Sequence, residues 1–112
     1  MKLDTIGDID IVRLEGTINV QTSIELESWL NSLIPRKQLK KVIIDLSKVQ
    51  HISSSGLRVL VSFYKRIVSN SGKLIMAGLN QNLKKIFKIV ELDTVFETYN
   101  SVEEAINKLG ET

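Results

Sequence analysis

The spacing of apolar residues switches repeatedly along the chain between two and three-to-four, as it does where strands alternate with helices. Lys2 to Ile6 reads as a short first strand and Gly7-Asp8 as a turn. Asp8-Ile9-Asp10-Ile11-Val12-Arg13-Leu14 alternates polar and apolar over most of its length, which predicts a half-buried strand ended by Gly16. Thr22-Ser23-Ile24-Glu25 has the form of a capping box, a hydroxyl followed three residues on by a carboxylate. Behind it Leu26, Trp29, Leu30, Leu33 and Ile34 share one helical stripe, and Pro35 stops the helix. Lys41-Val42-Ile43-Ile44-Asp45-Leu46 is a β-branched apolar run, the pattern of a parallel strand buried on both faces.

A second helix is predicted after Ser53-Ser54-Ser55, with Leu57, Leu60, Val61, Tyr64 and Val68 as its apolar stripe. Ser71-Gly72 ends it, Gly72 being the expected left-handed cap. Lys73 to Ala77 is the next strand, with Gly78 its exit. Asn80 can cap a third helix whose stripe is Leu83, Ile86, Phe87 and Val90. Val95 to Tyr99 reads as an edge-like strand. Ser101-Val102-Glu103-Glu104 is a second capping box, opening a helix that buries Val102, Ala105, Ile106 and Leu109. The expected architecture is α/β: one mixed sheet of four to five strands with about four α-helices packed against it. No linker, repeat or low-complexity segment interrupts residues 1–112, which read as one domain. Periodicity does not give the strand order.

Composition changes this picture little. Net charge is +2, which does not call for a long polyanion as partner. The basic cluster Arg36, Lys37, Lys40 and Lys41 lacks interleaved aromatics and reads as a solvated loop, so no direct nucleic-acid contact is expected. Cysteine is absent, which suits a reducing cytoplasm. No apolar run approaches the ~20 residues of a membrane span, and the first residues carry no signal-peptide pattern.

Candidates for chemistry are few. His51 is the single histidine, so no multi-histidine metal site is expected, and none of the nucleotide-binding glycine patterns is present. No cofactor is called for. Asp45, His51 and a serine could be imagined as a triad, but Ser53-Ser54-Ser55-Gly56 is not the Gly-x-Ser-x-Gly elbow. His51 reads as a loop residue and Trp29 as core.

The serine cluster stands out by position. Ser53 can cap the second helix through its hydroxyl, which places Ser54 first in the helix. A phosphate there is tolerated by the free N–H groups and the dipole of a helix start. It would add about −1.5 to −2 charges to the surface, enough to repel a partner that buries the patch. The same triplet also suits a capped loop with no further role.

Val42-Ile43-Ile44-Asp45-Leu46-Ser47-Lys48-Val49 followed by Ile52-Ser53-Ser54-Ser55-Gly56-Leu57-Arg58-Val59-Leu60 resembles the signature of the STAS domain, in particular the stand-alone anti-sigma factor antagonists of bacteria. Leu14-Glu15-Gly16-Thr17-Ile18-Asn19 is similar to the family's Leu-x-Gly-x-Leu-Asp segment. Lys73-Leu74-Ile75-Met76-Ala77-Gly78 and Ser101-Val102-Glu103-Glu104-Ala105 are similar to its later strand and last helix. The resemblance implies a transcription regulator that works by partner switching. Such an antagonist binds an anti-sigma factor that is also a serine kinase with an ATPase fold. Phosphorylation inactivates it and a serine phosphatase restores it. Carried onto this chain, the acceptor is Ser54, with Ser53 and Ser55 secondary. Gly56 lets the backbone approach closely at the helix start, and Leu57 anchors it. Two residues depart from the family pattern: Ser53 and Asn19 stand where it has aspartates. Both changes remove a carboxylate near Ser54, while serine and asparagine keep the ability to cap.

The expected partner surface comprises Asn19, Thr22, Ser53, Ser54, Ser55, Gly56, Arg58 and Ser62. Arg58 and Ser62 lie one turn apart and off the apolar stripe, on the side of Ser54. The alternative is a STAS scaffold or accessory subunit, stressosome-type or transporter-associated, without a phosphorylation switch. A small Ser/His enzyme is the remaining possibility and has little sequence support.

Overall fold

A computed structural model describes residues 1–35 and 38–110. It contains a five-stranded sheet in the order β1 (Lys2–Ile6), β2 (Ile9–Ile18), β3 (Lys41–Ile52), β4 (Lys73–Ala77) and β5 (Thr98–Tyr99). β1 and β2 form an antiparallel hairpin, and every later neighbour pair is parallel. The helices are α1 (Val20–Leu33), α2 (Ser54–Ser69), α3 (Gln81–Ile89) and α4 (Val102–Gly110), with a 3-10 turn at Leu92–Thr94.

Strand order and helix placement are linked. From β2 to β5 the chain steps one strand at a time in the same direction, through α1, α2 and α3. Right-handed crossovers then put all three helices on one face. Their residues Leu26, Leu30, Leu60, Phe63, Leu83 and Phe87 accordingly share one core with Val12, Leu14, Val42, Ile44 and Met76 of the sheet. The opposite face falls to α4, whose Ala105 and Leu109 cover Ile9, Ile11, Ile43 and Ile75. Val42 to Leu46 is buried throughout because β3 is the strand between the two cores.

Several sequence expectations are corrected. β2 does not end at Gly16. It passes through that residue at φ +84° with a shift of register against β3, and stops at Ile18. α1 starts three residues earlier than expected: Asn19 is the N-cap and Thr22 the third helical residue of the capping box. β3 runs on to Ile52, so His51 lies in a strand rather than a loop. In α2 the buried set is Leu57, Val59, Leu60, Phe63 and Ile67, whereas Val68 is exposed. Two apolar phases compete along this helix, and contact with α1 and the sheet selects the second.

Ser71, not Gly72, takes the left-handed cap of α2, at φ +65°. The N–H of Gly72 donates to Ile67 O at 2.8 Å and that of Ser71 to Val68 O at 3.0 Å, a Schellman motif. Gly72 is needed for space, since a Cβ there would stand 2.9 Å from the carbonyl oxygens of Ile67 and Leu39. Val90, assigned to the stripe of α3, is exposed, and the predicted strand from Val95 shortens to Thr98–Tyr99 because the 3-10 turn precedes it. Ser101 caps α4, but the returning carboxylate of Glu104 accepts from Asn100 N–H. Of the basic cluster, Arg36 and Lys37 lie outside the described residues. Lys40 is exposed, and Lys41 opens β3 and pairs with Asp8 at 3.0 Å.

On the α4 face, beyond that helix, Arg13 joins three strands. Its Nε donates to Asp4 at 2.6 Å and its Nη1 to Asp45 at 2.7 Å. The hydrogen bond from Arg13 holds the Asp4 carboxyl below its ordinary pKa. A carboxylate shifted this way adds stability above its unfolded value and loses it as pH falls through the folded one. Replacing Arg13 with Gln should therefore flatten the acid side of the stability curve below about pH 4. Urea melts of both proteins at about pH 6 and about pH 3 check this. An equal loss of stability in both would show that the Arg13–Asp4 contact carries no weight.

Candidate functional site

The register of β2 on β3 builds the site. Ile18 and Ile52 are the last partners of that pairing. The two strands therefore end side by side, and each turns directly into a helix. Asn19 caps α1: its Oδ1 accepts from Thr22 N–H at 2.8 Å, and Thr22 Oγ1 accepts from Asn19 N–H at 2.8 Å. Ser53 caps α2, its Oγ accepting from Gly56 N–H at 3.2 Å. The N–H of Ser53 donates to Ile18 O at 2.7 Å, tying the two helix starts together. The two residues that depart from the family's aspartates are thus both N-caps, and neither cap carries a carboxylate.

Gly56 makes the junction possible. A Cβ at that position would stand 2.7 Å from both Ile18 Cγ2 and Ile52 Cγ1. The residue is buried, so it supports the surface from beneath. Ser54 follows the cap as the first helical residue and is exposed. Ser55, half-buried, turns toward a groove between α1 and α2 lined also by Val20, Ser23, Ile24 and Arg58. Arg58 and Ser62 are exposed on successive turns of α2 after Ser54. Asn19, Thr22, Ser53, Ser54, Ser55, Arg58 and Ser62 therefore lie on or beside the paired helix starts and the outer face of α2.

Sequence reasoning passed over two residues here. Val20 and Ile24 are 63% and 66% exposed, one turn apart on α1, against the same groove as Ser55 and Arg58. Their phase was the available signal: both fall off the stripe that holds Leu26, Leu30 and Leu33. They form a small exposed apolar patch rimmed by polar side chains beside the serine cluster.

The imagined triad does not assemble. Asp45 spends its carboxylate on Arg13 and on Ser47 N–H. His51 is exposed, with Nδ1 3.4 Å from Asn82 Nδ2. The two residues are separated by up to about 20 Å of strand.

A sheet of this order with paired helix starts at the carboxyl ends of β2 and β3 defines a class of small α/β domain. The family model described as the STAS domain matches residues 1–105, and the chain belongs to that family. BtrV of Bordetella bronchiseptica, named as a candidate anti-sigma factor antagonist, is 29% identical over 105 residues, covering 94% of this chain and 90% of that protein. The anti-sigma F factor antagonist of Paenibacillus polymyxa is 26% identical over 99 residues, 88% of this chain and 85% of the relative. Among solved structures, the Bacillus cell fate determinant SpoIIAA in its phosphorylated form superposes with a TM-score of 0.73 at 16% identity, covering 96% of this chain and 97% of that one. Among the described residues no helix is long and apolar enough to cross a membrane.

Proposed function

We propose that this protein is an anti-sigma factor antagonist of a cytoplasmic partner-switching pathway. In this reading it binds an anti-sigma factor that is also a serine kinase, and phosphorylation of Ser54 switches it off until a serine phosphatase removes the phosphate. The observation that carries the reading is the exposed, uncapped hydroxyl of Ser54 on the first turn of α2, beside the start of α1. Ser53 is occupied by its capping bond and Ser55 is half-buried, so Ser54 is the accessible acceptor. The relatives' names point the same way, and SpoIIAA shows that a domain of this fold exists in a phosphorylated form.

The switch needs no large rearrangement. A phosphate on Ser54 adds about −1.5 to −2 charges at the centre of the surface to be buried, with no neighbouring carboxylate on either cap to oppose it. Incubation with the cognate kinase and ATP, followed by mass-spectrometric mapping, should place the phosphate on Ser54. In calorimetric titrations Ser54→Asp should weaken anti-sigma binding, by about tenfold or less because a carboxylate imitates only part of the charge. Phosphate on none of Ser53, Ser54 and Ser55, with the partner still bound, would favour a scaffold or accessory role instead.

A further inference from the structure

Beside Ser54 a groove of about 480 Å³ runs between α2 and the chain from α3 into the 3-10 turn. Its floor is apolar: Leu57 and Val61 from α2, Val90 and Leu92 from the other wall. Its α2 lip is a helical stripe of Ser54, Arg58, Ser62 and Lys65, about 16 Å long. Arg58 and Lys65 lie seven residues, or about 10 Å, apart on one face of the helix. Among the described residues neither cation makes a hydrogen bond or an ion pair, and no carboxylate lines the groove. Val90 is exposed although it is apolar. The groove is wide and open, which fits a helix laid along it better than an enclosed small molecule.

We propose that this groove receives an acidic amphipathic helix of the protein partner. The inference rests on the antagonist reading above and specifies how the partner is recognised. Two carboxylates seven residues apart on the incoming helix pair with Arg58 and Lys65, and the apolar residues between them cover Val61, Val90 and Leu92. This is helix-in-groove recognition, with apolar anchors at helical spacing and charges along one lip. Ser54 lies at one end of the same stripe, one turn from Arg58. The carboxylate that seeks Arg58 is then repelled by a phosphate on Ser54, so recognition and switching use the same charges.

The test uses a stapled helical peptide of about 14 residues with glutamates seven apart and leucines between them, titrated into isotope-labelled protein by NMR. Amide shifts should concentrate at Arg58, Val61, Lys65, Val90 and Leu92. A control peptide with lysines for the glutamates should bind about tenfold more weakly or worse, and Lys65→Glu, which leaves one cation and one anion on the lip, should abolish that preference. Equal binding of both peptides, shifts confined to the α1 side, or concentration-dependent shifts of the groove without peptide would overturn the proposal, the last by assigning the groove to a second copy. A second arm separates this idea from the antagonist reading. Lys65→Glu, which lies about three turns from Ser54, should weaken binding to the purified anti-sigma factor without altering the melting temperature. Full affinity in that variant would remove the groove from the interface and leave the antagonist function standing. Peptide binding in the groove with no anti-sigma binding would do the reverse.

Discussion

Leu60→Ala is expected to destabilise the protein by about 2–5 kcal/mol. Leu60 is fully buried, on the face of α2 that meets the sheet, among the residues shared by α1, α2 and α3. Truncation loses the transfer energy of three carbons and leaves a cavity that a close-packed interior fills only in part. A domain of this size has a total stability of about 5–15 kcal/mol, so the melting temperature should fall by on the order of 10 °C or more. Val68→Ala on the same helix is the control. Val68 is 46% exposed, and its truncation should cost less than about 1 kcal/mol. Thermal melts of the two variants decide between the two apolar phases of α2; equal shifts would mean that the helix is not oriented as described.

Gly56→Val should cost about 3 kcal/mol, and it should also impair Ser54 as an acceptor. The added Cβ would meet Ile18 and Ile52 at 2.7 Å, and both isoleucines are buried and paired across the strand ends. Neither can retreat without moving a strand end, and the Ser53–Ile18 hydrogen bond depends on those ends. Alanine carries the same Cβ but none of valine's γ-methyls, and it gains up to about 1 kcal/mol of helix propensity over glycine, so its cost should be smaller. Denaturant melts give the stability. The rate of Ser54 phosphorylation, measured well below the melting temperature, reports the displacement of the helix start. Wild-type stability with valine present would contradict the close approach at this glycine.

Much of this architecture was legible in the sequence. The β-branched run Val42–Leu46 announced a strand with cores on both sides, and Ser53 and Asn80 announced helix starts, because both signals are local. Strand ends were not local. Gly16 has the look of a terminator, yet β2 continues because pairing with β3 supplies hydrogen bonds beyond it. The start of α1 was missed for a related reason: Thr22 fits either end of a capping box, and only the end of β2 at Ile18 makes Asn19 the cap.

The candidate site shows the same division. Ser54, Arg58 and Ser62 could be placed on one helix face by counting residues. Their proximity to Asn19 and Thr22 follows from the Ile18–Ile52 register, which no periodicity encodes. Val20 and Ile24 were hidden by the late helix start, which left Val20 outside α1 and Ile24 inside the expected capping box. The groove along Arg58 and Lys65 needed the path of the 3-10 turn, which brings Leu92 to α2 from far along the chain.

The switch itself is tested most directly by a competition for the anti-sigma factor. Protein phosphorylated to completion on Ser54 and unmodified protein are each titrated into the preformed complex of anti-sigma and sigma factor, and free sigma factor is measured. Unmodified protein should release the sigma factor, and the phosphorylated form should release little at the same concentration. Equal release by both forms would contradict the assignment of Ser54 as the switch.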